Sequence, residues 1–466
     1  MGARSLVRLE RRVEEALGRA RRIGAPVLAS VTDLIGDVDP VAVASASCQE
    51  GEDWFSFEQP DRAGYAVAGL GCVRALRAEG EDRFASVSKQ WRSLAASALA
   101  DQVQAPLGSG LIAFGGFAFA PHGGRAPEWD GFAPAGLVVP AVSLARAGHQ
   151  TALTLNVEVA PDDTPEDILG GMRARAVDLR ERPLPLFDPS PVGVYSPRSS
   201  MPPVHYEQAV RAAVERIRAG ELEKIVLARE VHVSGPVDYD SAAILGALRA
   251  EFPSCFVFAV RRGGGTFLAA SPELLVRREG QRASTVALAG STGRSADPAV
   301  DDHLGERLLR SAKDRQENAI VARAIARVLE PQAVWVTTAP EPMVVKVANI
   351  QHLATPIRAQ LSRPVPVLEL AGILHPTPAV GGEPRERATD LIPALEGLDR
   401  GWYAGAVGWT DVTGDGEFCV ALRCALLRGQ SARVYAGCGI VRDSDPAAEL
   451  AETEIKLGAL LPLLTG

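Results

Sequence analysis

No apolar run of about 18 or more residues occurs in this 466-residue chain, so a bilayer-spanning helix is not expected. No signal-peptide pattern is present either, and the chain is expected to be soluble and cytoplasmic. Basic runs long enough to track phosphates are also missing. The net charge is -8 and the pI about 5.6, and the arginines that open the chain (Arg8, Arg11, Arg12, Arg19, Arg21, Arg22) share one amphipathic helix, which argues against nucleic acid as a partner. Six cysteines (Cys48, Cys72, Cys255, Cys419, Cys424, Cys438) show neither CxxC nor CxxH spacing, so neither a zinc site nor a disulfide framework is indicated. They read as small core residues in a reducing compartment. Internal repeats and low-complexity tracts are absent as well.

What is present suits a globular protein with a substantial core: 47% of the residues are hydrophobic. The length allows two or three average domains, or one large unit. Periodicity predicts a helix over 3–22, strands over 26–31, 41–46, 53–58 and 65–71, a helix over 84–100, a glycine-rich strand over 108–119, a β-hairpin over 136–159 turning at 146–150, and a capped helix over 164–180. This first part holds no dense polar cluster and reads as an α+β scaffold. Residues 182–203, rich in Pro and Ser, mark a connection. Beyond it come a helix at 204–219, a strand at 224–234, a helix at 240–251, a strand at 254–261, a turn at 263–265 and strands near 266–269 and 284–289. A long helix over about 301–329, a strand at 342–348, helices at 366–374 and 384–397, strands at 403–410, 417–427 and 432–441, and a C-terminal helix complete the expectation. The organisation is therefore a portion over 1–190 packed on a region over 204–466 that carries the chemistry, the two forming one intertwined fold.

The densest stretch is 435–456, YAGCGIVRDSDPAAELAETEIK. It reads as a strand end and a glycine turn, in which Gly437 and Gly439 let backbone approach a ligand, followed by a helix capped by Asp443 or Ser444 with Pro446 in its first turn. Glu449, Glu452 and Lys456 then fall on one face. On a solvated helix such Glu–Lys pairs contribute only ~0.2–0.5 kcal/mol each. As the wall of a site they are oxygen ligands suited to Mg²⁺, which takes one or two carboxylates and keeps open positions. That second reading needs a third acid from elsewhere in the chain, and Glu317, at the head of the apolar run 319–329, is the candidate.

Other polar constellations follow the linker, and each has an ordinary reading beside a functional one. Lys224 heads an apolar strand; exposed it is a strand end, drawn inward it is a general base. Glu273 follows the small residues 269–272; it either caps an element or is held partly protonated as an acid. The run Lys313–Asn318 is either helix surface or the source of Glu317. Asn349, Gln351 and His352, and the loop 374–382 (LHPTPAVGG), complete the set.

Taken in order, EKIVLARE, SPELL, LAGST, KDRQEN, NIQHL, LHPTPAVGG, YAGAVGW, ALR, YAGCGIV and PAAELAETEIK resemble the chorismate-utilising enzyme family, and isochorismate synthases within it. The match covers roughly 204–464. It implies an α+β fold with a large two-layered β-sheet core flanked by helices, of the type of anthranilate synthase component I and aminodeoxychorismate synthase. It further implies that Glu317, Glu449 and Glu452 surround one Mg²⁺ that bridges the ring carboxylate of chorismate. Arg423, Tyr403 and Lys456, with the backbone of Gly290, Ser291, Gly437 and Gly439, correspond to contacts with the substrate carboxylates, and His352 corresponds to a site histidine. Lys224 matches the base that activates water for attack at C2, and Glu273 the acid that protonates the departing C4 hydroxyl.

The resemblance also divides the family. Members that use ammonia carry a non-basic residue where this chain has Lys224, so water is the expected nucleophile and no glutaminase subunit is expected. Salicylate synthases carry Thr where Ala379 stands, so release of isochorismate is the expected outcome and salicylate formation the alternative; an aminating enzyme and a non-catalytic chorismate-binding paralogue rank lower. Gln316 and Asn318 depart from the pattern, since many relatives carry a His there. A monomer is expected.

Overall fold

The computed structural model describes residues 3–101, 105–347 and 350–465. Asn349, which opens one of the polar motifs, lies outside them. Among the described residues, thirteen strands form one sheet and ten a second. Their facing sides are apolar because the strands present Phe and Val at alternate positions. Phe55 on the Trp54–Gln59 strand of the larger sheet stacks on Phe114 of the Ile112–Phe117 strand of the smaller one, with ring centroids 4.2 Å apart. Fully burying side chains of that size contributes roughly 1.5–3 kcal/mol each. Helices cover the outer surfaces. The Ala3–Ile23 helix lays Leu9, Val13, Ala16 and Leu17 inward, all of them buried.

Both sheets draw strands from either side of the proline-rich connection. Trp54–Gln59 pairs antiparallel with Phe256–Arg262, Phe57 facing Phe258. Ile112–Phe117 pairs with Ala406–Asp411, Phe117 facing Ala406. The connection itself contributes Ser196–Ser199 to the sheet edge beside Lys224–Ser234.

Several expected elements differ. Residues 41–46 are not a strand but lie in the Pro40–Ser47 helix, because the Asp39 carboxylate accepts from the amides of Val41 and Ala42 and Pro40 fits the first turn. Capping there outweighs the β preference of Val41 and Val43. The long helix expected over 301–329 is two, Pro298–Arg310 and Ala312–Leu329, broken at Ser311, whose hydroxyl caps the second by accepting from the Asp314 amide. The strand expected over 417–427 divides into Gly416–Val420 and Cys424–Arg428, which join different sheets. Strands Arg74–Ala78, Leu274–Glu279, Ala333–Thr338 and Ile350–Leu361 have no counterpart among the expected elements. Of the cysteines, four are buried, but Cys48 is half-buried and Cys72 exposed. No helix of the described residues is long and apolar enough to cross a membrane.

Candidate active site

The chain crosses between the two sheets at 421–423, and the cavity opens there. Gly437 and Gly439 do not form a turn. They lie inside the Ser431–Ile440 strand, opposite Ala228 and Val226 of Lys224–Ser234. Glycine is required by crowding: a Cβ on Gly439 would overlap Glu317 Oε1 and come within 2.8 Å of Lys224 Cε, and one on Gly437 would sit 3.0 Å from the Tyr403 hydroxyl. The helix that follows, Pro446–Leu457, is capped by Asp445, which accepts from the Ala448 amide at 2.9 Å, and by neither Asp443 nor Ser444. Leu457 is buried, so the helix docks on its apolar side and holds Glu452 in the cavity wall.

The opposite wall comes from the Arg282–Gly293 strand. Its pairing with Ile350–Leu361 slips between Leu288 and Ser291, and Gly290 takes up the slip at φ 80°. Asn318 ties this bulge to the Ala312–Leu329 helix: its amide donates to the carbonyls of Ala287, Ala289 and Leu353, and its oxygen accepts from Thr355 at 2.6 Å. The departure from His at 318 thus leaves a fully bonded side chain. Ser291 then donates to Glu452 at 2.6 Å.

Of the residues expected in the site, Glu273, Gly290, Ser291, Glu317, His352, Ala379, Tyr403, Arg423, Gly437, Gly439, Glu452 and Lys456 line this one cavity. Two of the expected residues, Lys224 and Glu449, do not line it. Lys224 is fully buried, its ammonium 2.9 Å from Glu317 Oε1. Glu449 is 2.8 Å from the ammonium of Lys313, and Glu452 is 2.8 Å from that of Lys456.

Burial sets the chemistry. It raises the Glu273 carboxyl to about 8, against the pull of Lys224 and Lys456, so this side chain carries a proton at neutral pH. Burial would also raise Glu452, but Lys456 and Ser291 outweigh it and hold that carboxylate at about 2. Glu449 is raised by burial and by the neighbouring Glu452. His352 is pushed well below its ordinary range by burial, then by Arg423 and Lys456. Its neutral ring accepts from the Arg423 guanidinium at 2.7 Å. Arg423, at φ 48°, keeps its second terminal nitrogen buried without a hydrogen-bond partner. An unpaired buried donor of that kind costs about 1–3 kcal/mol, and a bound carboxylate relieves it.

Two carboxylates and a thiol converge near one another. Among the described residues, ligand atoms of Cys438, Glu449 and Glu452 lie within 4.8 Å of one another. Glu317, drawn to Lys224, is outside that group. Sequence reasoning passes over Val380, Leu422 and Tyr435, which also line the cavity. Tyr435 is accessible to it, since it shares a strand face with Gly437 and Gly439 at a spacing of two. Lys313 reads in the sequence only as part of a charged helix start.

One cavity thus brings together a buried carboxyl raised by its surroundings, further carboxylates and an arginine with an unpartnered donor. The chain belongs to the chorismate binding enzyme family, whose model matches residues 14–465. It is 38% identical over 453 residues to the salicylate biosynthesis isochorismate synthase of Pseudomonas aeruginosa, covering 97% of this chain and 93% of that one. Its fold superposes on MenF, the menaquinone-specific isochorismate synthase of Escherichia coli, with a TM-score of 0.77 and 27% identity, over 97% of this chain and 100% of the other. Anthranilate synthase component I of Streptococcus pneumoniae shares the two-sheet fold at a TM-score of 0.64 and 19% identity, over 93% of this chain and 92% of that one.

Proposed function

We propose that this chain is an isochorismate synthase that interconverts chorismate and isochorismate by exchanging hydroxyl positions on the ring. The observation that carries this reading is the pairing of two buried groups of opposite duty: Glu273, protonated at neutral pH, and Lys224, within reach of its field. Lys224, as the base of this step, takes a proton from water as the water oxygen bonds to C2. Electrons shift through the conjugated double bonds, and the C4–O bond breaks as Glu273 delivers its proton to the leaving hydroxyl. One water enters and one leaves. The two groups end with exchanged protonation states, so they serve the reverse reaction equally well, and neither direction needs an outside reductant or oxidant.

The substrate's carboxylates would meet Arg423, which lines the cavity and has one unpartnered donor, together with Lys456, Tyr403 and the backbone of Gly290, Ser291, Gly437 and Gly439. His352, neutral and bonded to Arg423, would fix the guanidinium's orientation. Glu317, Glu449 and Glu452 fit a hard dication by donor type, being carboxylates on two rigid helices. They would hold Mg²⁺, which supplies positive charge for the ring carboxylate in an otherwise acidic cavity. Because water is the nucleophile, no glutaminase subunit is needed, and the chain would act as a cytoplasmic monomer with residues 204–466 carrying the chemistry and 1–190 supporting it. Ala379 offers no hydroxyl to the ring, which supports release of isochorismate over elimination to salicylate.

Chromatography of the products from chorismate and Mg²⁺, with and without ammonium, tests this. Isochorismate is expected in both mixtures; an aminated product with ammonium, or salicylate as the main product, would overturn the assignment.

A further inference from the structure

Lysine is scarce in this chain. Of 49 basic residues only Lys89, Lys224, Lys313, Lys346 and Lys456 are lysines. Three of these five hold the three carboxylates read as metal ligands: Lys224 on Glu317, Lys313 on Glu449 and Lys456 on Glu452. Buried carboxylates elsewhere are held mainly by arginine, as Glu417 is by Arg62 and Arg277, Glu396 by Arg400 and Glu58 by Arg249. The distinction matters physically. A guanidinium grips both oxygens of a carboxylate with a planar fork, whereas an ammonium is a compact charge on a flexible stem that one rotation removes.

The three lysines are not equivalent. Lys224 is wholly enclosed, and Lys456 also donates to the Gly437 carbonyl at 2.9 Å. Lys313 stands at the start of the Ala312–Leu329 helix with 39% of its side chain exposed, while its partner Glu449 is 2% exposed. Its ammonium therefore reaches inward from a stem that borders solvent.

We propose that Lys313 is a tethered place-holder: its ammonium occupies Glu449 Oε1 and is displaced to solvent when a divalent cation takes that oxygen. This rests on the reading of Glu317, Glu449 and Glu452 as metal ligands. A buried carboxylate without a counter-charge is costly, so a nearby cation favours the charged form of Glu449. Two cations on one carboxylate oxygen repel each other strongly in a cavity of low dielectric, so the ammonium and the metal exclude each other there. The exchange sets metal affinity lower than the carboxylates alone would give. A guanidinium at 313 would hold Glu449 by two bonds and yield it less readily.

Titration calorimetry with Mg²⁺ on the full chain tests this without reference to turnover. Lys313→Met removes the competitor and is expected to bind Mg²⁺ about tenfold more tightly, in line with one lost hydrogen bond to a charged group. Lys313→Arg is expected to bind several-fold more weakly. In the unmodified chain, Mg²⁺ is expected to speed acylation of Lys313 by an amine-reactive reagent, read by mass spectrometry, while Lys89 reacts at the same rate as before. Unchanged or weaker binding by the Met variant, an Arg variant equal to the unmodified chain, or labelling of Lys313 that ignores Mg²⁺ would overturn the place-holder alone. Failure of the unmodified chain to bind Mg²⁺ at all would overturn both this and the ligand assignment.

Discussion

Two buried carboxylic acids of this chain are treated in opposite ways. Glu417, on the Gly416–Val420 strand, is fully buried and clamped by Arg62 at 3.0 Å and Arg277 at 2.6 Å. Glu273, 3% exposed and at the end of a neighbouring strand, receives no side-chain donor among the described residues and feels its lysines only across space. The first acid has both its neighbouring guanidinium groups as partners. The second keeps its proton because nothing solvates its charge. Scaffold and site thus differ less in how deeply they bury charge than in whether the partner grips it, and that contrast can be broken at either end.

The largest effects belong to Glu273 and the lysine whose field it feels. Lys224→Ala and Glu273→Gln should each lower turnover of chorismate by about 10²–10⁴-fold, the usual contribution of a positioned proton donor or acceptor. Substrate binding, followed by calorimetry, should persist. In the unmodified enzyme the acid form of Glu273 is lost as pH rises through about 8, so turnover in the forward direction should fall above that value. The Gln variant's residual rate should lack this limb.

Gly439→Ala comes next. The added methyl competes with Glu317 Oε1 and Lys224 Cε for one space, and turnover should drop by about tenfold to a hundredfold with little change in melting temperature, a 1 Å misplacement being enough for such a loss. Normal turnover would mean that the Lys224–Glu317 contact is irrelevant to the chemistry.

Stability separates the two acids by sign. Glu417→Gln leaves Arg62 and Arg277 short of a counter-charge and should destabilise by about 1–3 kcal/mol, read by thermal unfolding. Glu273→Gln should do the reverse at high pH. A carboxyl whose folded-state pKa lies above its unfolded value of ~4.3 contributes its full stability below that value and loses it as pH rises toward about 8. The melting temperature of the Gln variant, relative to the unmodified chain, should therefore increase between pH 5 and 9; a constant difference would mean that Glu273 is not held protonated.

The smallest effect concerns outcome rather than rate. Ala379→Thr places a hydroxyl in the cavity wall and should raise the share of salicylate among the products, measured by chromatography. An unchanged share would remove position 379 as a determinant.

Much of this is legible in the residues because the site is assembled from short, dense motifs. Glu273, Glu317, Glu452, Arg423 and Lys456 are each conspicuous, and the structure gathers them from four separate parts of the chain around one cavity. What escapes the sequence are relations between segments. The 417–427 run shows no break, since a chain passing from one sheet to another keeps its apolar pattern and the turn is made by Arg423 at positive φ, a position where glycine would have been the visible signal. Gly437 and Gly439 announce close approach but not its cause, because the atoms they accommodate belong to Glu317, Lys224 and Tyr403, distant in the chain. The helix over Pro40–Ser47 is hidden for a local reason: Asp39 and Pro40 signal a helix start, but the alternating valines that follow imitate a strand. Lys313 blends into a charged segment, although the rarity of lysine among 49 basic residues sets it apart.

The most direct measurement is conversion of chorismate in water enriched in oxygen-18, with the product examined by mass spectrometry. If Lys224 draws a proton from water while Glu273 expels the C4 hydroxyl, isochorismate gains one heavy oxygen, located at C2, at every turnover. Isochorismate formed without the label would mean that the hydroxyl migrates within the substrate, and neither Lys224 as base nor Glu273 as acid would stand.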